Sequence, residues 1–314
     1  MAISGFAKTQ NSEIFYLFRD GRFKVSATRL MSIAIVGFVT LISLSAFIFL
    51  IWKSSDALMR EGLSFFSTAN WHFRDHSYGA LALFLGTVVT AVFSLLICAP
   101  FSLFGAWALQ NLRSEKLRLS IEALVTLMAS VPSVVYGLLG ILLLRPALLQ
   151  TFSFYGMETG GGLLTASILL SIMILPTLFS LQLESFSKLS KKYQEQALSL
   201  GLSRTKFFWS IVFPLGLPAI LSSFALGFGR AAGETVAVFL VIGRLDNKLP
   251  TEGGWIDYLL NAGQSITTKL GGPEIFISYQ SPQHESALLL LALCLVLMSI
   301  GTSSLLLTIS KGKV

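Results

Sequence analysis

Six long runs nearly free of charge constrain this chain more than any other feature: residues 30–52, 79–109, 119–144, 163–183, 211–243 and 287–309. Crossing a hydrocarbon core of ~30 Å takes about 20 apolar residues in a helix, and each run is long enough. Only Glu122 interrupts the third run and only Arg230 and Glu234 the fifth. With 12% charged residues the chain lies far below the roughly one quarter of a soluble domain. The reading is an all-α, polytopic membrane protein with six transmembrane helices.

The net charge of +7 would point to nucleic acid in a soluble protein, but here its distribution is the better guide. Of the 23 Lys and Arg residues, 15 fall in the N-terminal arm, the loops after the second and fourth runs, and the tail. The three intervening loops hold 7. By the positive-inside rule both termini and the loop after the fourth run are cytoplasmic. The expected layout is a cytoplasmic arm (1–29), a membrane domain (30–310) and a short cytoplasmic tail (311–314). Within the membrane domain lie a cytoplasmic loop (188–210) and a long external loop (244–286). The arm is too long and polar for a cleaved leader, and Lys53-Ser54-Ser55-Asp56 offers no small-X-small exit, so the first run is expected to be an uncleaved anchor. Cys98 and Cys294 both fall inside apolar runs at no metal or redox spacing, and read as small core residues. No internal repeat divides the chain.

The loop at 188–210 has an order of its own. Tyr193–Leu200 reads as a short helix stopped by Gly201, after which Ser203 can cap a second helix running through Phe207, Phe208 and Trp209 toward Pro214. Such a knob, with Arg204 and Lys206 beside an apolar face, suits a groove on a cytoplasmic partner. Glu195-Gln196-Ala197, three residues, Gly201, nine residues, Ile211, two residues and Pro214 together resemble the "EAA" loop of ATP-binding-cassette importer permeases. Gln196 stands where that pattern has its first Ala, and Phe213 where it has Leu, and neither change removes the turn. The chain carries no G-x-x-x-x-G-K-[ST] stretch, so ATP is expected on another subunit.

Arg230 lies 19 residues beyond Ile211 and 13 before Gly243, about 28 Å and 20 Å along a helix. Burying it at that depth costs on the order of 3 kcal/mol or more, so such a residue usually faces a water-filled path or a partner. Arg230 and Glu234 are four apart and therefore expected to share a helical face, in the weaker order for an intrahelical pair, which calls for a further ligand. One reading makes the guanidinium a fork for an oxyanion. Glu234 would then accept a hydrogen bond from the proton that phosphate still carries near neutral pH and sulfate does not, and would oppose a fully deprotonated anion. The other makes the two residues a structural ion pair or gate. Gly229 and Gly233 form a G-x-x-x-G stripe suited to close helix approach. Ser133 and Gly137, four apart after Pro132, favour close packing over direct solute contact. In the external loop, Gly253-Gly254-Trp255 and Gly271-Gly272-Pro273 imply structure, with a short helix from Asp257 along the membrane face.

The run Gly227–Gly243, with Gly-Arg-Ala-Ala-Gly-Glu-Thr-Val-Ala-Val, is similar to the permeases of phosphate-specific transport, closer to the C-type than to the A-type subunit. Pro132-Ser133-Val134-Val135-Tyr136-Gly137-Leu138 and Gly162-Leu163-Leu164-Thr165-Ala166 resemble the same family. The likeness covers roughly residues 70–310. It implies a type I importer permease in a bacterial inner membrane. The implied partners are a second A-type permease, two cytoplasmic ATPases carrying ATP and Mg, and an external phosphate-binding protein. The chain itself then binds no cofactor or metal and is not an enzyme. Carried over, Arg230, Glu234, Thr235, Ser133 and Tyr136 line the solute path. Glu195, Gln196, Ala197, Leu198, Gly201, Leu202, Arg204 and Thr205 meet the ATPase. The alternatives are a permease for molybdate or sulfate, an ion-coupled carrier or channel whose discontinuous helices the sequence does not show, and a membrane enzyme. The last is disfavoured because His72, His76 and His284 lie in external loops without a H-E-x-x-H pairing.

Overall fold

The computed structural model describes residues 27–311 apart from Arg113 and Gln280, so most of the expected N-terminal arm and the tail from 312 lie outside the described residues. Two units separate. Residues 1–49 form one, described from 27 onward as the start of helix α1 (Ala27–Glu61), with its apolar side chains exposed from Leu30 to Ala46. The rest of the chain forms the second unit.

Its framework is α2 (Leu81–Asn111), α3 (Glu115–Ser130), α4 (Ser133–Tyr155), α5 (Leu163–Ser199), α6 (Arg204–Gly233), α7 (Val236–Val241) and, after a long loop, α11 (Pro282–Lys311). Six helices are long and apolar enough to cross a membrane: α1, α2, α4, α5, α6 and α11. Helix α5 is the central one, with 67% of its apolar window buried against 11% for α4. It packs along α2 and crosses α6, joining Leu169, Leu170, Ile174 and Leu178 to Val89, Ala91 and Cys98.

The third crossing is displaced from the expected 119–144. Pro132 cannot donate to a helix ladder and holds Val131 extended (φ −68°, ψ 127°), so the apolar run divides there. Helix α3 is separate and largely exposed. Its Glu122 is paired with Arg118 at 2.8 Å, and the crossing is α4 instead. A Cβ at Gly137 would stand 2.5 Å from the Leu240 side chain and 3.1 Å from the Ala237 backbone, so glycine is what lets α4 and α7 touch. Close packing is therefore what Gly137 provides at that point.

The loop expected to be external folds into three short helices, α8 (Gly254–Leu260), α9 (Ile266–Leu270) and α10 (Glu274–Ser278). The expected helix at Asp257 is α8. Helix α9 is buried from Ile266 to Lys269. The side chains of Ser265 and Thr268 cap it reciprocally, and its Ile266 amide donates to Thr87 Oγ1 of α2 at 2.9 Å. The Lys269 ammonium, 1% exposed, is held by Asp246 at 2.9 Å and by Glu274, and lies 5.2 Å from the ring centre of Trp71. Trp71 begins a two-stranded hairpin, β1 (Trp71–His72) with β2 (Ser77–Tyr78), and its indole donates to Glu274 at 3.0 Å. Buried His284, in the first turn of α11, brings Nε2 within 3.2 Å of the same carboxylate.

Burial works against ionising Glu274, but the close approach of the His284 ring, with the hydrogen bonds from Lys269 and Trp71, outweighs it and holds the carboxyl below its ordinary value. A depressed carboxylate contributes stability above the unfolded-state pKa, and that stability is lost as pH falls through the folded-state value. Amide hydrogen exchange across Ile266–Leu270 is accordingly expected to accelerate on acidification below the ordinary Glu range. Glu274→Gln should remove that dependence and cost about 2 kcal/mol at neutral pH, because it takes a charge-assisted hydrogen bond from the buried Lys269 ammonium, which Asp246 still holds.

Candidate functional site

The expected fifth crossing breaks at the residue of most interest. Helix α6 ends at Gly233, Glu234 is extended (φ −72°, ψ 125°), and α7 starts at Val236. Arg230 and Glu234 therefore do not share a helical face, and no ion pair joins them among the described residues. The break instead places each charge at a favourable helix end. Arg230 sits in the last turn of α6, where freed carbonyls favour a cation, and Glu234 precedes α7, with Oε1 accepting from the Ala237 amide at 3.4 Å. Thr267 of α9 donates to the Glu234 carbonyl at 2.9 Å, and Thr235 packs its methyl against Gly271, so the loop between α7 and α11 holds the break open.

The guanidinium of Arg230 is exposed on the isolated chain and donates through Nη1 to Thr177 Oγ1 of α5 at 2.6 Å. That is its one hydrogen bond among the described residues. Tyr136 lies within electrostatic range of Arg230, but its hydroxyl is committed to the Met128 carbonyl at 2.8 Å, tying α4 to α3 across the Pro132 break. Ser133, half-buried, opens α4. Of the glycine stripe, Gly229 faces Thr302 of α11 at ordinary contact distance, while Gly233 faces open space, and an apolar cavity of about 180 Å³ separates the helices beside them.

At the other end, α5 runs unbroken to Ser199, so Tyr193–Leu200 forms the last turns of a crossing helix rather than a helix of its own. Gly201 (φ +70°) stops it as expected. The Leu202 amide returns to the Ala197 carbonyl at 3.1 Å and the Gly201 amide to Leu198 at 3.0 Å, the two bonds of a Schellman turn. That turn folds Leu202 over Ala197, which is 2% exposed, with Phe207 and Phe208 completing the cover. Ser203 then caps α6 by accepting from the Lys206 amide at 3.3 Å. The joint rests on α2, where Gln110 donates to the Phe186 carbonyl at 3.2 Å and to Ser190. Glu195, Gln196, Leu198, Gly201, Arg204 and Thr205 face outward on this rigid corner, with Leu202 half-buried.

Residues 99–312 match the family model described as the binding-protein-dependent transport system inner membrane component. A phosphate transport system permease protein PstC of Xylella fastidiosa (strain Temecula1) is 34% identical over 74% of this chain and 78% of its own length. A second, from strain 9a5c, is 31% identical over 86% of each. The chain belongs to this permease family. Among solved structures, a bacterial ABC transporter involved in import of the acidic polysaccharide alginate aligns over 90% of this chain with TM-score 0.52 and 15% identity, a likeness of fold. The fold is that of a type I importer permease.

The matched region of this family member contains both the Arg230 break and the Gly201 corner, whereas α1 lies outside it. The breaks at Pro132 and Glu234 are discontinuities that the sequence reading did not expect. It is family membership, and not unbroken helices, that decides against an ion-coupled carrier. Sequence reasoning also passed over Thr177. Its only local signal is a hydroxyl beside Pro176 in mid-crossing.

Proposed function

We propose that this chain is the C-type permease of an ATP-driven phosphate importer, multi-pass in a bacterial inner membrane with both termini cytoplasmic. It forms half of the translocation path, and a related A-type permease supplies the other half. Two ATPase subunits, carrying ATP and Mg, engage the corner from Glu195 to Thr205, and an external phosphate-binding protein delivers the solute. The observation that carries the reading is Arg230: a guanidinium on an exposed face of a crossing helix, offered next to a break and engaged by a single hydroxyl. Five N–H donors in a planar fork match an oxyanion, and one of them is used.

Phosphate is favoured over sulfate by Glu234. One carboxylate oxygen accepts from the Ala237 amide, and the other is able to accept a hydrogen bond donated by a protonated phosphate oxygen, while a fully deprotonated sulfate would be repelled. Competition for labelled phosphate uptake by the assembled complex tests the substrate. Unlabelled phosphate should block, and excess sulfate or molybdate should not. Blockage by sulfate but not phosphate would remove the substrate assignment, and ATP-independent uptake by the lone chain in liposomes would remove the importer reading.

A further inference from the structure

The hydroxyl that holds Arg230 is bonded differently from several other hydroxyls of the crossing helices. Ser167, Ser171 and Ser223 in the crossing helices each return the hydroxyl hydrogen to a carbonyl of their own helix at 2.7 Å. That is the usual resolution for a hydroxyl away from water. Thr177 does not do so. Its one hydrogen bond among the described residues is the one it accepts from Arg230, at the short end for a charge-assisted bond. It follows directly on Pro176, which donates nothing to the helix ladder and leaves the Ile172 carbonyl without its regular partner.

A hydroxyl that accepts from a cation still has its own hydrogen to give, and accepting polarises it into a stronger donor. We infer that Thr177 is a substrate-contacting residue of the translocation path, its hydroxyl donating to the same oxyanion that the Arg230 guanidinium binds. The inference rests on reading Arg230 as the anion's ligand, and adds a second group from a different helix. The pair then reads the anion from two directions: the fork of α6 and a single donor on α5. Because Arg230 and Thr177 stand on separate crossings, a rearrangement that slides α5 against α6 separates the two donors and weakens the hold on the anion. That is what release on the far side of the membrane requires.

The test uses the full transporter complex in proteoliposomes with labelled inorganic phosphate. Thr177→Val keeps the shape and removes the donor. It should lower uptake about tenfold, the size set by one hydrogen bond to a charged group, while binding-protein-stimulated ATP hydrolysis persists. Thr177→Ser should retain uptake. Thr177→Ala is measured alongside: if the Val variant fails to assemble, the same loss in the Ala variant supports the inference and full uptake overturns it. Wild-type uptake in the Val variant, with Arg230→Ala inactive, would overturn the role of Thr177 and leave the reading of Arg230 standing. If Arg230→Ala also transports normally, the site itself is wrongly placed. Loss of uptake in Thr177→Ser as great as in Thr177→Val would mean that side-chain shape, and not the hydroxyl, matters, and would also overturn the proposal.

Discussion

Arg230→Ala is expected to abolish phosphate uptake while the permease still assembles with its partners. The two halves of that result have separate causes. Uptake falls because the variant loses a bidentate, charge-assisted donor set, worth about 3 kcal/mol or more for two such bonds, or a factor of ~100 or greater. Assembly survives because Arg230 is not the counter-ion of a buried carboxylate. The helix break places Glu234 at the start of α7, where a backbone amide and not Arg230 is its partner. Deleting one member of a true buried pair costs 3–5 kcal/mol through the charge left behind, and here no such charge is left. Arg230→Lys should recover only part of the activity, since an ammonium keeps the charge but not the fork. Labelled uptake measured beside co-purification of the subunits separates the readings. Failure of the Ala variant to assemble would return Arg230 to a structural role.

The six crossings were legible because length and apolarity alone define them, and the boundaries were legible only where the chain itself supplies a stop. At Gly201 it does: a residue that takes φ +70° without strain follows a good helix former, and the helix ends there. At Pro132 the stop was present, but the apolar run on both sides masked it, so one crossing was placed too early. At Glu234 nothing local announces the break. Ala231-Ala232-Gly233 is compatible with helix, and the interruption is held by Thr267, 33 residues further on, whose hydroxyl takes the carbonyl that a continuous helix would have used. A pairing inferred from a spacing of four was therefore replaced by two charges at opposed helix ends. The residue types of the site were readable, and the geometry that gives them their chemistry was not. Thr177 was hidden for the same reason, since its part depends on a side chain 53 positions away.

Gly201→Val is expected to uncouple ATP hydrolysis from uptake. Open space surrounds the position where the new Cβ would stand, so the substitution meets no clash with a neighbour, and its cost lies in the backbone. A left-handed conformation costs an ordinary residue about 1–2 kcal/mol, and a β-branched one more. Two backbone bonds, from Leu202 to Ala197 and from Gly201 to Leu198, depend on that conformation. Relaxing it lifts Leu202 from Ala197, frees Ser203 from its capping position and turns a rigid corner into a hinge. Motion of the ATPase proposed to press on Leu198, Arg204 and Thr205 would then be absorbed in the hinge instead of being passed into α5 and α6. The expected order of retained coupling is Gly, then Asn, then Ala, then Val, because Asn tolerates the left-handed region best among residues with a side chain. Uptake per ATP hydrolysed by the reconstituted complex reads this directly, with hydrolysis largely kept across the series. Equal coupling in all four would mean that force does not pass through this corner.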